Sequence, residues 1–150
     1  MTAPKRAAED VVKEFWQALS AAAAHDGWLV GRVLHGRSNR GFVLEKQDRV
    51  IELKIRVSQV AKGFWGLPYD EANAILAGRQ EHNLFLTARG GGYLLTAIRL
   101  PGVVSKFSKS EQQKAYKVNE EKLRHEPRFH SAAEAWELLR PPAPTPSVTA

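Results

Sequence analysis

The chain has no cysteine and a single methionine in 150 residues. Without cysteine there can be no disulfide framework, thiolate zinc site, iron–sulfur cluster or cysteine nucleophile, and the composition suits a reducing compartment. Long apolar runs are also missing, and none approaches the roughly 20 residues of a membrane span. The opening residues, Met1-Thr2-Ala3-Pro4-Lys5-Arg6, lead into an amphipathic stretch with Glu9, Asp10, Lys13 and Glu14. No signal-peptide core is therefore expected. The five histidines show no H-E-x-x-H or other metal spacing, and no serine sits in a nucleophile elbow. A soluble, cytoplasmic protein with no membrane partner is the expectation.

What is present suits one folded domain. The chain is 43% hydrophobic and 25% charged, values that exclude wholesale disorder and are enough for one core. We expect a single domain over 1–140 and a disordered tail over 141–150, where four of ten residues are proline. The net charge is +6, and its excess falls in two blocks. Residues 31–62 carry eight Lys and Arg against three acids, and residues 99–128 carry eight against four. Two such blocks can form an electrostatic footprint for nucleic acid.

Periodicity predicts the elements. Val12, Phe15, Trp16, Leu19 and Ala23 recur at helical spacing over about 7–24, and Gly27 follows as terminator. Strands are expected at 28–34, 41–45 and 49–56, with 35–39 as a loop and 46–48 as a turn. Residues 63–67 read as an aromatic loop, after which Pro68 opens a helix ending near Gly78. Two more strands, 83–88 and 93–98, flank a glycine-rich hairpin connection. The stretch 101–114 shows little periodicity, and 115–118 reads as a short strand. Ser131 is the expected cap of a last helix over 132–139, with Glu134 at the capping-box position. The whole reads as an α/β (α+β) domain, a mixed β-sheet flanked by helices in the order α-β-β-β-α-β-β plus a short α+β ending.

The sharpest chemical signal is Glu52-Leu53-Lys54. Strand residues i and i+2 share a face, so carboxylate and ammonium project together. Phosphodiester hydrolysis uses that pairing, with a carboxylate on a hard cation and a lysine at the attacking water or the charged transition state. Ile51, Leu53 and Ile55 alternate with Glu52, Lys54 and Arg56, which places the pair on a sheet surface expected to be free of helix. Weaker candidates surround it. Arg37-Ser38-Asn39-Arg40 suits phosphate contact, and Lys106-Phe107-Ser108-Lys109 interleaves cations with an aromatic. Ser58 and Gln59 follow the motif, where they either orient water or close a loop. Phe64-Trp65 either stacks on a base or packs in the core.

Element order and the E-x-K motif over about residues 7–100 resemble the PD-(D/E)xK nuclease superfamily, the restriction-endonuclease-like fold shared with archaeal-type Holliday junction resolvases. The resemblance implies a metal-dependent endonuclease with Glu52 and Lys54 catalytic, Mg²⁺ or Mn²⁺ as cofactor and nucleic acid, DNA foremost, as partner. Arg37, Arg40, Lys106 and Lys109 are then the expected nucleic-acid-binding residues. The sequence departs from the pattern at the first acidic ligand. A hairpin turning at 46–48 sets Val43 opposite Glu52 and Gly41 opposite Lys54, so the expected aspartate falls on Gly41, Phe42 or Val43. Glu45, on the same face as Val43, is the substitute metal ligand beside Glu52, with Glu14 or Asp10 of the first helix as further acids. A catalytically silent DNA- or RNA-binding module is the alternative reading. A protein-interaction domain that meets an acidic partner is the third.

Overall fold

The computed structural model describes residues 8–35, 38–58, 63–77, 82–87 and 91–140, without the side chains of residues 8, 9 and 32–41. Arg37, Gln59, Gly78 and the 141–150 tail lie outside the described residues. Helix α1 (Ala8–His25) buries Val11, Val12, Phe15, Leu19 and Ala23 along one stripe. It stops where Gly27 takes φ 88° and the Trp28 amide returns to the Ala23 carbonyl, a left-handed terminator that glycine adopts without steric cost.

Strands β1 (Leu29–His35), β2 (Ser38–Lys46) and β3 (Arg49–Val57) form an antiparallel meander. The β2–β3 turn contains Gln47 at φ 57°. The register is the expected one: Gly41 faces Lys54, Val43 faces Glu52 and Glu45 faces Val50. Strand β2 begins three residues earlier than expected, because Ser38 already pairs with His35. Strand β4 (Phe64–Pro68) follows, then helix α2 (Tyr69–Leu76) with Pro68 at its N-cap. The chain next enters β5 (His82–Leu86), parallel to β3, and β6 (Gly92–Thr96), antiparallel to β5.

The C-terminal third comprises α3 (Leu100–Val104), β7 (Ser108–Ser110), β8 (Ala115–Asn119), a 3₁₀ turn (Glu120–Leu123), β9 (Arg128–Phe129) and α4 (Ala132–Leu139). The Ser131 hydroxyl accepts the Glu134 amide proton at 3.2 Å, as the capping pattern predicts.

Six strands form one mixed sheet in the order β1-β2-β3-β5-β6-β9, and β4-β8-β7 form a second, smaller sheet. The helix-flanked mixed sheet is the expected one, whereas the element order gains a strand before the second helix and runs α-β-β-β-β-α-β-β. Two expectations are corrected. Residues 64–68 are a strand, not an aromatic loop, because Trp65 and Leu67 are buried against Val118 while β8 satisfies their backbone. Residues 100–110 hold α3 and β7, because Leu100, Val103 and Phe107 supply a buried stripe that a short polar segment conceals.

The large sheet is covered unequally. One face carries Phe42, Leu44, Ile51, Leu53, Ile55, Leu84, Leu86 and Leu94 against α1 and α4. Trp136 of α4 donates from Nε1 to Asp26 Oδ2 at 2.5 Å, tying it to the end of α1. On the other face Phe85, Tyr93 and Leu95 pack against α2, α3 and the small sheet, and this cover stops short of β1 and β2. No helix among the described residues is long and apolar enough to cross a membrane.

Candidate active site

Glu52 and Lys54 do share a face of β3, but their surroundings differ. Glu52 is half-buried and opens into a depression lined by Leu29, Val30, Gly31, Val43, Glu45 and Val50. Glu45 belongs to the same lining. It sits opposite Val50, one same-face position along from Glu52's partner Val43, so the two glutamates are diagonal neighbours. Such neighbours are about 7 Å apart at Cβ, a span that two glutamate side chains can close onto one ion. Apart from these two carboxylates the depression is apolar.

Lys54 faces the covered part of the sheet and is buried, at 7% exposure. Its Nζ donates to Glu71 Oε1 at 2.6 Å. Glu71 stands in the first turn of α2, and its other oxygen meets the Arg56 guanidinium. Arg56 also donates from Nη1 to the Gly66 carbonyl of β4 at 2.9 Å. Lys54 is therefore covered by a helix, contrary to expectation. The parallel crossover from β3 to β5 lays α2 over this end of the strand, and the carboxylate there offsets both cations. Asn83 pairs with Lys54 across β3–β5 and is buried beside it.

Glu71 is the site residue that sequence reasoning missed. In the sequence Asp70 and Glu71 read as acids at the positive end of a helix. Only the crossover, closing a separation of 17 residues, sets Glu71 on the motif lysine.

The remaining candidates divide cleanly. Ser58 is fully buried, accepts the Phe64 amide proton at 2.9 Å and donates its own amide proton to Leu86 O at 2.8 Å, which is a loop-closing role. Trp65 donates from Nε1 to Leu86 O and meets Phe85 and Tyr93 edge-on, which is a core role. Phe64, its neighbour, remains 39% exposed. Lys106 and Lys109 are exposed on the α3–β7 stretch and do not line the Glu52 depression. Arg40 lies in β2, with its side chain outside the described residues, as is all of Arg37. Asp10 and Glu14 line a separate hollow with Lys13 and Gln17. They belong to α1, which packs on the opposite face of the sheet, so they are not partners of Glu52.

Among the described residues no cluster of three or more His, Asp or Glu side chains is set to hold a metal. Two carboxylates still suit one hard cation, because Mg²⁺ is commonly held by one or two of them with water and phosphate oxygens completing its shell.

No protein-family model matches the chain, and no curated protein matches it in sequence. The fold is similar to the 1.6 Å structure of Hjc, a Holliday junction resolvase from the archaeal hyperthermophile Archaeoglobus fulgidus. The TM-score is 0.44 and the identity 17%, with 85% of this chain and 97% of that chain covered.

Proposed function

We propose that this chain is a nucleic-acid-processing protein of the metal-dependent PD-(D/E)xK type, acting on phosphodiester bonds at the Glu52 depression. The observation that carries the reading is the placement of Glu52 and Glu45 in one depression beyond the helical cover of the sheet, with Lys54 two residues along the same face of β3 beneath the first turn of α2. Glu52 and Glu45 would hold the divalent cation. When bound, such an ion polarises a phosphate oxygen and lowers the pKa of an attacking water. In the hydrolysis, the water oxygen bonds to phosphorus as a water proton passes to solvent, the bond to the leaving oxygen breaks, and that oxygen takes up a proton from solvent. The Lys54 ammonium, anchored by Glu71, offsets the negative charge that develops on the phosphate. Arg37 and Arg40 of the first basic block, with Lys106 and Lys109 of the second, would neutralise flanking phosphates, DNA being the favoured polymer.

One observation favours a second reading, a binding module without cleavage. Val43 stands opposite Glu52 where a second acid would complete the ligand set. A cleavage assay on branched, duplex and single-stranded substrates, with Mg²⁺, Mn²⁺ or chelator, separates the two. Metal-dependent cutting that is lost in Glu52→Gln and Lys54→Ala, with binding retained in Glu52→Gln, supports hydrolysis. Cutting that survives Glu52→Gln sinks the site assignment. Binding in chelator with no cutting of any substrate supports the second reading.

A further inference from the structure

Over the half of the second sheet away from Ala115, one face is open to solvent. On that face Phe64 pairs with Asn119, Gly66 with Lys117, and Lys117 in turn with Ser108. All five residues are exposed. The opposite face of the same strands is spent on the core through Trp65, Leu67 and Val118, so the exposure of Phe64 is not a shortage of core volume. A Cβ built on Gly66 would meet nothing within 4 Å, which leaves bare backbone two residues along the strand from the Phe64 ring. An aromatic ring, an amide, an ammonium and a hydroxyl therefore border an open floor.

The local charge favours a polyanion. Residues 106–124 carry six Lys and Arg against three acids. Glu120 accepts from Tyr93 Oη at 2.8 Å and from the Gly63 amide, and Glu111 accepts from Tyr69 Oη at 3.4 Å; these donors are neutral, so the stretch keeps its excess of three positive charges. Lys106, Lys117 and Lys122 are exposed.

We propose that the solvent face of the β4-β8-β7 sheet is a platform for single-stranded nucleic acid. One base stacks on Phe64 over the Gly66 floor, Asn119 offers hydrogen bonds to that base, and Lys117 neutralises an adjoining phosphate. Single strands are the fitting partner because their base faces are open to an aromatic ring, whereas those of a duplex are stacked internally. The platform connects to the candidate active site through the Gly66 carbonyl, Arg56 and Glu71, so a strand held there lies beside the E-x-K motif. The proposal rests on the nucleic-acid reading above but not on cleavage.

The test is fluorescence anisotropy of labelled oligo(dT), oligo(U) and a blunt duplex in chelator, where no cutting intervenes. Phe64→Ala should weaken oligonucleotide binding roughly tenfold or more, the loss of one stacked base, and Phe64→Trp should restore it. Lys117→Gln should lower the salt slope by about one charge. Loss with oligo(dT) alone names DNA as the partner, and loss with both names either polymer. Binding unchanged by Phe64→Ala, an equal loss for the blunt duplex, or failure of Phe64→Trp to restore binding overturns the platform. A wild-type chain that binds none of the three overturns the nucleic-acid reading as well. Because Phe64 is exposed, Phe64→Ala should keep the wild-type circular dichroism spectrum, and Phe64→Trp covers the case in which it does not.

Discussion

Lys54 and Glu71 meet where β3 passes under the first turn of α2, with Nζ 2.6 Å from Oε1, and Arg56 reaches the same carboxylate from two residues along the strand. The contact joins a motif lysine to a helix that the chain reaches only after its crossover. It also concentrates two cations on one largely buried carboxylate, an arrangement in which removing a single partner costs far more than its Coulomb share.

Glu71→Ala should therefore destabilise the fold by on the order of 3 kcal/mol, the cost of leaving buried charge uncompensated. Glu71→Gln should lose less, since it keeps an acceptor for Lys54. Urea unfolding at neutral pH checks this, and equal midpoints for wild type and Glu71→Ala would show that the contact contributes nothing net.

A second expectation concerns acid. Burial pushes the His82 imidazole down from 6.5 to about 4, so the folded state binds fewer protons than the unfolded chain between those values. The neutral ring's contribution is complete above about pH 6.5. It is lost as pH falls through the window to about 4, with on the order of 2–3 kcal/mol at stake by linkage. Denaturant midpoints measured from pH 4 to 7 should fall toward acid in the wild type and flatten over that window in His82→Gln.

The third concerns the apolar residue opposite Glu52. Val43 lines the depression and is 8% exposed. In Val43→Asp a third carboxylate joins Glu52 and Glu45 on the same face, and more anionic oxygens bind a hard cation more tightly. Mn²⁺ affinity by titration calorimetry should rise at least about tenfold, a change of about 1.4 kcal/mol. Unchanged affinity would show that Glu52 and Glu45 do not converge on one ion.

Local rules carried much of this structure. The Ser131 cap, the Gly27 terminator and the β2–β3 register each follow from residues within a few positions, and each is found in the fold. The register alone sets Glu45 and Glu52 on one face, and in the fold that face forms their shared depression. Where the reading missed, tertiary pairing had decided. Phe64-Trp65 looks like a loop because β4 is flanked by glycine and proline and finds its partner more than 45 residues away, in β8. Leu100 and Val103 are buried by a layer assembled from α2, β4, β5, β6, β8 and the 3₁₀ turn, a pattern that no window along the chain contains. Glu71 was hidden for the same reason, since an acid in a first helical turn looks alike whether it faces water or a lysine.

The bond from Trp136 to Asp26 spans 110 residues, and its consequence is practical. It gathers the first and last helices on the side of the large sheet that faces away from Glu52. A surface linkage, fluorescent label or fused domain attached through the exposed positions of either helix thus meets the molecule from behind. The depression and its two glutamates are left turned toward solution, as a tethered binding or cleavage experiment requires.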